Sequence, residues 1–300
     1  MTNFAIGLDI GGTKIAGGVV DRKTGKVLLR DTVPTHANRG GAAVLGTCVI
    51  VAERLAAQAA DQDIAIKGIG LGLCELLDPT GRVTSAYNFD WRDLPVQQRL
   101  AAIAPTYLET DVRAAALAEA CYGAGRPYRN FTYVTVGTGI SSCLVLDGRP
   151  FTGARGNALV LASMPLSMTC PNCGAALDQV LEEFASGPAL VRRYNEQRTK
   201  PVASGQELFA AASNGDELAH AVIHSAGAAL GNSVAFLCNV LDPEAVVVGG
   251  GLGLAGGPYW TAFIAATRAH IYADDTRQLP ILPALLGVDA GLIGAALLGE

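Results

Sequence analysis

Near its N-terminus the chain reads Phe4-Ala-Ile-Gly-Leu-Asp-Ile-Gly-Gly-Thr-Lys-Ile-Ala-Gly-Gly-Val-Val-Asp21. Two apolar segments, 4–10 and 15–21, predict two strands joined by a short hairpin. The hairpin consists of small or polar residues: Gly11, Gly12, Thr13 and Lys14. Glycines tolerate positive φ and let backbone N–H groups approach a bulky anion closely. The pattern therefore indicates a hairpin that binds phosphate.

A carboxylate lies beside this hairpin, because Asp9 ends the first predicted strand. A carboxylate repels phosphate unless a hard cation such as Mg²⁺ lies between them. We interpret the hairpin and Asp9 as a site for a magnesium-bound nucleotide, in which Asp9 holds the ion through water. The alternative is an ordinary tight turn with a capping aspartate. The pattern matches neither the P-loop nor the Rossmann fingerprint, and it leads into a strand, not a helix.

Composition and charge narrow the class of protein. The chain has 300 residues, half of them hydrophobic, which suffices for one large domain or two ordinary ones. Its net charge of −5 and its lack of a Lys/Arg run disfavour nucleic-acid binding. It contains no uninterrupted apolar run of about 18 or more residues, which disfavours a membrane span, and no secretion signal is expected. We therefore expect a cytoplasmic protein in which the seven cysteines are reduced.

A second carboxylate follows another short strand. Residues 106–110 predict a strand, and Asp111 separates it from a predicted helix that begins Val112-Arg-Ala-Ala-Ala-Leu-Ala-Glu. An aspartate at this place is often an ordinary helix N-cap. The catalytic alternative is a general base, which must lie within hydrogen-bond reach of the hydroxyl that it deprotonates.

Two further glycine motifs follow. A hairpin, Gly137-Thr138-Gly139, again joins two apolar segments, 131–136 and 140–146. A run of three glycines, 249–251, follows the predicted strand 245–248, where it would let a flat base approach the backbone. We expect the two hairpins to hold a triphosphate from two sides, with Asp9, Gly137 and Asp111 lining a common crevice.

These motifs, in this order, resemble those of the ROK family of sugar kinases, within the actin, hexokinase and Hsp70 superfold. The resemblance covers essentially the whole chain and implies an α/β fold of the two-lobed, actin-like ATPase (ribonuclease H-like) type with a central cleft. It implies a small lobe of residues 1–112 with a last helix at about 289–300, and a large lobe of residues 113–288. The residues assigned to ATP are Asp9, Gly11, Gly12, Thr13, Lys14, Gly137, Thr138, Gly139, Gly249, Gly250 and Gly251.

The resemblance also implies a sugar site with Asp111 as the catalytic base. The candidate substrate ligands are Glu75, Asn88, Thr110, Asp111, Asn157 and Glu182. Several positions depart from the family pattern: Cys74 and Glu75 replace Pro and Gly, Thr110 replaces Asn, Val160 replaces Glu, and Ser163 replaces His. A buried Glu75 needs a partner, and an ammonium group on an amino sugar would supply one. The alternative is a loop glutamate that faces solvent.

The zinc motif of the family is also altered. Cys170 and Cys173 remain, but no histidine or third thiolate lies nearby. Two thiolates alone make a poor tetrahedral site, so we expect no structural zinc. A metal completed by a distant ligand is the competing interpretation.

The sequence therefore predicts an ATP- and Mg²⁺-dependent kinase that phosphorylates the primary (6-) hydroxyl of a hexose or amino hexose. Family resemblance implies a homodimer, and no nucleic-acid or membrane partner is expected. One alternative is a catalytically weak regulatory protein that binds sugar and nucleotide. The other is a kinase of a non-sugar acceptor, such as a carboxylate or a polyol.

Overall fold

The computed structural model describes residues 3–169 and 176–299, which form two compact α/β units. The first unit contains Met1–Arg129, Cys143–Ala158 and Leu285–Glu300. The second contains Asn130–Ser142 and Leu159–Ala284. Residues 113–129 and 143–158 thus group with the first unit, whereas the lobe boundaries inferred from the sequence place them in the large lobe.

The strands and helices are numbered in chain order. The strands are β1 (Phe4–Ile10), β2 (Lys14–Asp21), β3 (Lys26–Pro34), β4 (Ile66–Leu73), β5 (Thr106–Thr110), β6 (Phe131–Val136), β7 (Ile140–Leu146), β8 (Arg149–Pro150), β9 (Pro165–Thr169), β10 (Ala176–Val180), β11 (Ala245–Gly249) and β12 (Ile281–Pro283). The helices are α1 (Gly41–Ala60), α2 (Val96–Ala101), α3 (Asp111–Tyr122), α4 (Leu181–Ala185), α5 (Gly187–Asn195), α6 (Gly205–Ser213), α7 (Glu217–Leu241), α8 (Gly257–His270) and α9 (Ala290–Ala296).

A five-stranded sheet of order β3-β2-β1-β4-β5 is the frame of the first unit. β1 pairs antiparallel with β2 and parallel with β4, which pairs parallel with β5. The carboxyl ends of β1, β4 and β5 therefore meet at one edge of the sheet, the usual place for a ligand in an open α/β sheet. The structure confirms the strands predicted at 4–10, 15–21 and 106–110, which are β1, β2 and β5.

Helix α9 lies directly on this sheet, because glycines on β1 and β4 leave room for its backbone. A methyl group at Gly7 would overlap the carbonyl oxygen of Leu292, and one at Gly70 would overlap that of Ala295. The side chain of Arg22 also donates to the carbonyl oxygens of Ala296 at 2.6 Å and Leu298. The end of the chain is thus fastened to its first strands.

The second unit is built around β6 and β11, which pair parallel, with β12 parallel on the outer side of β11. β7 follows β6 through the Gly137–Gly139 turn and continues into residues of the first unit. Helix α7 packs closely on α8, since methyl groups at Gly227 and Gly231 would overlap the carbonyl oxygens of Tyr259 and Phe263.

Two helices, α1 and α7, are long and apolar enough to cross a membrane by length and composition alone. In both of them one face packs into the core of its own unit, whereas Ile50, Phe236 and Val240 are exposed. The core residues of α1 include Val44, Leu45, Val51 and Leu55, and those of α7 include Val222, Ile223, Leu230 and Val234. Such burial is typical of the core helix of a globular domain.

Candidate active site

Two carboxylates meet at the sheet edge of the first unit. Asp9 is the next-to-last residue of β1 and pairs in register with Gly72 on β4. A methyl group at Gly72 would lie 3.4 Å from Cα of Asp111 and 3.5 Å from Cβ of Ala114, so α3 begins directly above this glycine. The charge of Asp9 acts on Asp111 across this edge of the sheet.

The two carboxylates perturb each other and are partly withdrawn from water. Burial raises the pKa of Asp9 to about 6, and the nearby charge of Lys14 offsets part of this effect. Burial raises the pKa of Asp111 to about 7, and the charge of Asp9 adds to the increase. The backbone N–H of Val112 donates to the Asp111 carboxylate at 2.7 Å and acts in the opposite direction. Both groups therefore hold protons more tightly than an exposed aspartate does.

These shifts predict how stability depends on pH when divalent ions are absent. The pKa of each group is higher in the folded than in the unfolded chain, so the folded state binds more protons between about pH 4 and 7. The pair therefore costs stability increasingly as pH rises through that window. Asp111→Asn should be more stable than wild type by on the order of 2–3 kcal/mol at pH 8, and the gain should vanish near pH 4, because a tenfold change in proton affinity corresponds to about 1.4 kcal/mol.

Urea unfolding in EDTA at pH 4.5 and 8 measures this difference. Asp61→Asn on the exposed end of α1 is the control, and it should show no such pH dependence. A stability gain for Asp111→Asn that is equal at both pH values would contradict the raised pKa of Asp111.

Thr110, not Asp111, is the N-cap of α3. The Thr110 hydroxyl accepts from the backbone N–H of Arg113 at 3.4 Å, and Asp111 is the first helical residue. The interpretation of Asp111 as a simple N-cap is therefore wrong. Capping also accounts for the burial of Thr110, so its role as a substrate ligand stays a prediction.

The first hairpin presents its tip to solvent. The Gly11 N–H donates to the carbonyl oxygen of Lys14 at 3.0 Å, and Gly12, Thr13 and Lys14 are exposed. Neither glycine adopts a positive φ, so the conformational reason given for them from the sequence is wrong. Gly12 is needed for close approach instead, because a methyl group there would lie 2.7 Å from Oδ1 of Asn88. The hairpin of residues 11–14, predicted to bind phosphate, and Asn88, a predicted sugar ligand, are thus neighbours within the first unit.

Glu75 is buried, but its partners are not those expected of a sugar ligand. Its carboxylate accepts from the Ser85 hydroxyl and from the backbone N–H groups of Tyr87 at 2.8 Å, Asn88, and Phe89 at 3.2 Å. The side chain is 2% exposed. These four hydrogen bonds satisfy the buried carboxylate, so it needs no ammonium partner. Its burial also excludes the alternative of a loop glutamate that faces solvent.

Residues 153–158, with the candidate ligand Asn157, are tied to α3. Buried Arg113 donates to the Glu109 carboxylate and, at 2.7 Å, to the carbonyl oxygen of Gly156. A methyl group at Gly156 would overlap the carbonyl oxygen of Leu77, so this segment also touches the turn after Glu75. Asn157 itself is exposed. Arg113 could not be singled out from the sequence, since its partner Gly156 lies 43 residues away.

In the second unit the two predicted nucleotide motifs come together. The carbonyl oxygen of Val136, at the end of β6, accepts from the N–H groups of Leu252 and Gly253 at 3.0 and 3.1 Å. Gly250 is in the left-handed region with φ of 81°, and a methyl group at Gly137 would lie 3.8 Å from the Gly251 nitrogen. The glycine run 249–251 and the 137–139 turn thus form one backbone-lined site, in which Thr138 is exposed.

Glu182 lies against the same turn. Its carboxylate accepts from the N–H of Ile140 at 2.7 Å, and a methyl group at Gly139 would lie 2.6 Å from its Oε2. This contact explains why Gly139 lacks a side chain. The role of Glu182 as a sugar ligand, and the convergence of Gly137 with Asp9 and Asp111, stay predictions.

The positions that depart from the family pattern are only partly described. Val160 is 42% exposed, and the Ser163 hydroxyl donates to its carbonyl oxygen at 3.2 Å. Cys170 and Cys173 lie outside the described residues, so the expected lack of a structural zinc stays a prediction. Within residues 3–169 and 176–299, no three His, Cys, Asp or Glu side chains are grouped so as to hold a metal ion.

The family model of the ROK family matches residues 5–300. The chain belongs to the ROK family. A relative, the glucokinase of Streptomyces coelicolor, is 30% identical over 98% of this chain and 96% of its own length. The N-acetylmannosamine kinase of Salmonella typhi is 29% identical over 100% and 99%. A solved ROK glucokinase from Streptomyces griseus, in complex with glucose and AMPPNP, has a TM-score of 0.82 and 27% identity over 98% of both chains. The actin-like ATPase fold predicted from the sequence is that of these ROK structures.

Proposed function

We propose that this carbohydrate kinase transfers the γ-phosphate of ATP to the primary (6-) hydroxyl of a neutral hexose, with Asp111 as the general base. The observation that carries the proposal is the meeting of Asp9 and Asp111 beside the glycine hairpin and Asn88. The ROK relatives that act on glucose and N-acetylmannosamine support a hexose as acceptor.

Asp111 would accept the proton of the attacking hydroxyl. Its carboxylate is held by the Val112 N–H and kept basic by burial and by the charge of Asp9, which suits a group that must take up a proton near neutral pH. The exposed N–H groups of the Gly12–Thr13 turn and the Lys14 ammonium would bind phosphate oxygens. Positioning and charge stabilisation are the main contributions that a protein makes to phosphoryl transfer.

The donor set fits a magnesium ion. Two adjacent, partly buried carboxylates repel each other, and hard oxygen ligands are those that Mg²⁺ prefers. Asp9 would hold the ion through water, and the bound ion would neutralise charge on the phosphates. The glycine run 249–251 and the 137–139 turn of the second unit would hold the rest of the nucleotide.

Sugar recognition would fall to Asn88, with Thr110, Asn157 and Glu182 as further candidates. The amide of Asn88 can donate to or accept from a hydroxyl. An amino hexose is no longer favoured, because the Glu75 carboxylate, on which that hypothesis rested, already accepts four hydrogen bonds. A neutral hexose needs no such counter-charge.

An acceptor panel with ATP and Mg²⁺ tests the proposal. Purified protein is mixed with glucose, mannose, N-acetylmannosamine, an amino hexose, a polyol and a carboxylate, and ADP release is followed. The phosphorylated product is then located by ³¹P–¹H correlation NMR. Turnover with a neutral hexose and a phosphate on its 6-oxygen is expected. Sugar and nucleotide binding without turnover would favour the regulatory alternative instead.

Gly291 should be essential for the nucleotide side of the reaction. A methyl group at this position, on the first turn of α9, would lie 2.6 Å from Cγ and from Oδ2 of Asp9. Gly291→Ala must therefore displace the Asp9 carboxylate, and a displacement of about 1 Å can cost about 100-fold in rate. We expect kcat/KM for MgATP to fall about 10- to 100-fold, as measured by coupled ADP assay.

Gly46→Ala is the matched control for this variant. Gly46 is also helical, and a methyl group there would meet nothing within 4 Å. The control should keep full activity and gain up to about 1 kcal/mol of stability from helix propensity. Wild-type kinetics in a folded Gly291→Ala protein would show that the placement of Asp9 against α9 is unimportant.

A further inference from the structure

A single buried carboxylate organises the loop that carries the candidate sugar ligand. We call the Glu75 carboxylate and its four donors, from Ser85, Tyr87, Asn88 and Phe89, the Glu75 clamp. Three of the donors are consecutive backbone N–H groups, so the carboxylate fixes the path of the chain through residues 87–89. No Lys or Arg pairs with Glu75 among the ion pairs of the described residues, and its charge is balanced by these donors.

The clamp fixes Asn88 from three directions. Its backbone N–H donates to Glu75, its side-chain Nδ2 donates to the carbonyl oxygen of Cys74 at 3.2 Å, and its Oδ1 lies against Gly12. Cys74 and Glu75 directly follow β4, whose end lies beside Asp9 and below Asp111. The clamp therefore connects the end of β4, the loop of residues 87–89 and the hairpin of residues 11–14 within one unit.

We propose that Glu75 is a positioning residue that sets the place of Asn88 at the acceptor site and thereby determines affinity for the sugar. The inference rests on the proposed function in one respect, namely that Asn88 binds the acceptor. Glu75 does not touch the sugar. It acts through the loop, and it occupies a position where the resemblance to ROK kinases would place a glycine.

The chemistry of the clamp requires a carboxylate. An ionised carboxylate only accepts hydrogen bonds, whereas an amide of the same shape has an NH₂ group in place of one oxygen. In Glu75→Gln that NH₂ group would face backbone N–H donors, and a buried donor left without an acceptor is costly. The loop would then lose its fixed path although the side chain keeps its size.

Steady-state kinetics of Glu75→Gln are the main test. We expect KM for the sugar to rise at least tenfold, while KM for ATP stays within about twofold of wild type. Ser85→Ala removes one donor and should raise KM for the sugar about threefold. Asp90→Asn is the matched control, because Asp90 lies in the same loop but is exposed and paired only with Arg92, so its kinetics should be those of wild type.

Trp91 reports on the loop without any substrate. Its ring is 1% exposed and lies 4.8 Å from that of Phe89, between centroids. In a Trp260→Phe background it is the only tryptophan, and its emission should shift to the red in Glu75→Gln but not in Asp90→Asn. A lower melting temperature with unchanged emission and unchanged KM would overturn the proposal, since Glu75 would then contribute stability alone.

Asn88→Ala separates failure of the clamp from failure of the proposed function. If Asn88→Ala leaves KM for the sugar unchanged, the assignment of Asn88 as a ligand is wrong, whatever Trp91 shows. If it raises KM but Glu75→Gln does not, the clamp proposal is wrong and the ligand assignment stands. If both raise KM, the double variant should be no worse than Asn88→Ala alone, and full additivity would overturn the proposal. Should Glu75→Gln fail to fold, Ser85→Ala decides, and an unchanged KM in that variant overturns it.

Discussion

Asp111→Asn is expected to lower kcat about 1000-fold while KM for ATP and for the sugar stay within about threefold. The size of the loss follows from the contribution of a positioned general base, about 100- to 10,000-fold. The amide keeps the shape of the side chain and can still accept from the Val112 N–H, but it cannot take the proton of the attacking hydroxyl. Removal of an interaction that matters only in the transition state lowers kcat and leaves KM nearly unchanged.

The same variant has an internal check on folding. Because burial and the charge of Asp9 raise the pKa of Asp111 to about 7, its ionised form costs stability at pH 8 when divalent ions are absent. An inactive Asp111→Asn protein that resists urea better than wild type in EDTA has lost chemistry, not its fold. Asp61→Asn should retain full kcat. Turnover of Asp111→Asn within about fivefold of wild type would remove Asp111 from the mechanism.

Gly70→Ala should be among the most destabilising single-methyl changes in the first unit. The added methyl group would overlap the carbonyl oxygen of Ala295, which belongs to the helix backbone and cannot turn aside as a side chain can. Over-packing of a core costs 1–3 kcal/mol and occasionally more, so we expect a loss of about 3 kcal/mol. Urea unfolding followed by far-UV circular dichroism measures it.

Gly68→Ala on the same strand and the same face is the control. A methyl group at Gly68 would make only ordinary contacts, 3.4 Å from Nη2 of Arg22 and from the carbonyl oxygen of Pro105. This variant should stay within about 0.5 kcal/mol of wild type. Equal stability of the two variants would mean that α9 does not rest on β4 through Gly70.

The strands and the acidic pair could be predicted from the sequence because their signals are local. The segments 4–10 and 15–21 are apolar runs joined by small or polar residues, and they form β1 and most of β2. Asp9 lies near the carboxyl end of β1 and Asp111 directly follows β5, so a sheet with parallel β1, β4 and β5 brings both to one edge.

The hydrogen bonds between Glu75 and residues 85–89 could not be predicted. They join residues 10 to 14 positions apart, and the residue types are common in any loop. Nothing about Ser85 or the N–H of Tyr87 distinguishes them in the sequence. A glutamate in a turn is usually solvated, and only the fold shows that this one is surrounded by donors. Gly291 was missed for a similar reason, since a glycine in an apolar helix has many explanations besides closeness to a carboxylate 282 residues away.

The fastening of α9 onto β1 and β4 has a consequence for biosynthesis. A ribosome makes α9 only after it has made all of the second unit, so one face of β1 and β4 stays uncovered while residues 74–289 are translated. Until α9 is synthesised, Gly291 is not packed against the Asp9 carboxylate. The second unit can therefore be complete before the first one is.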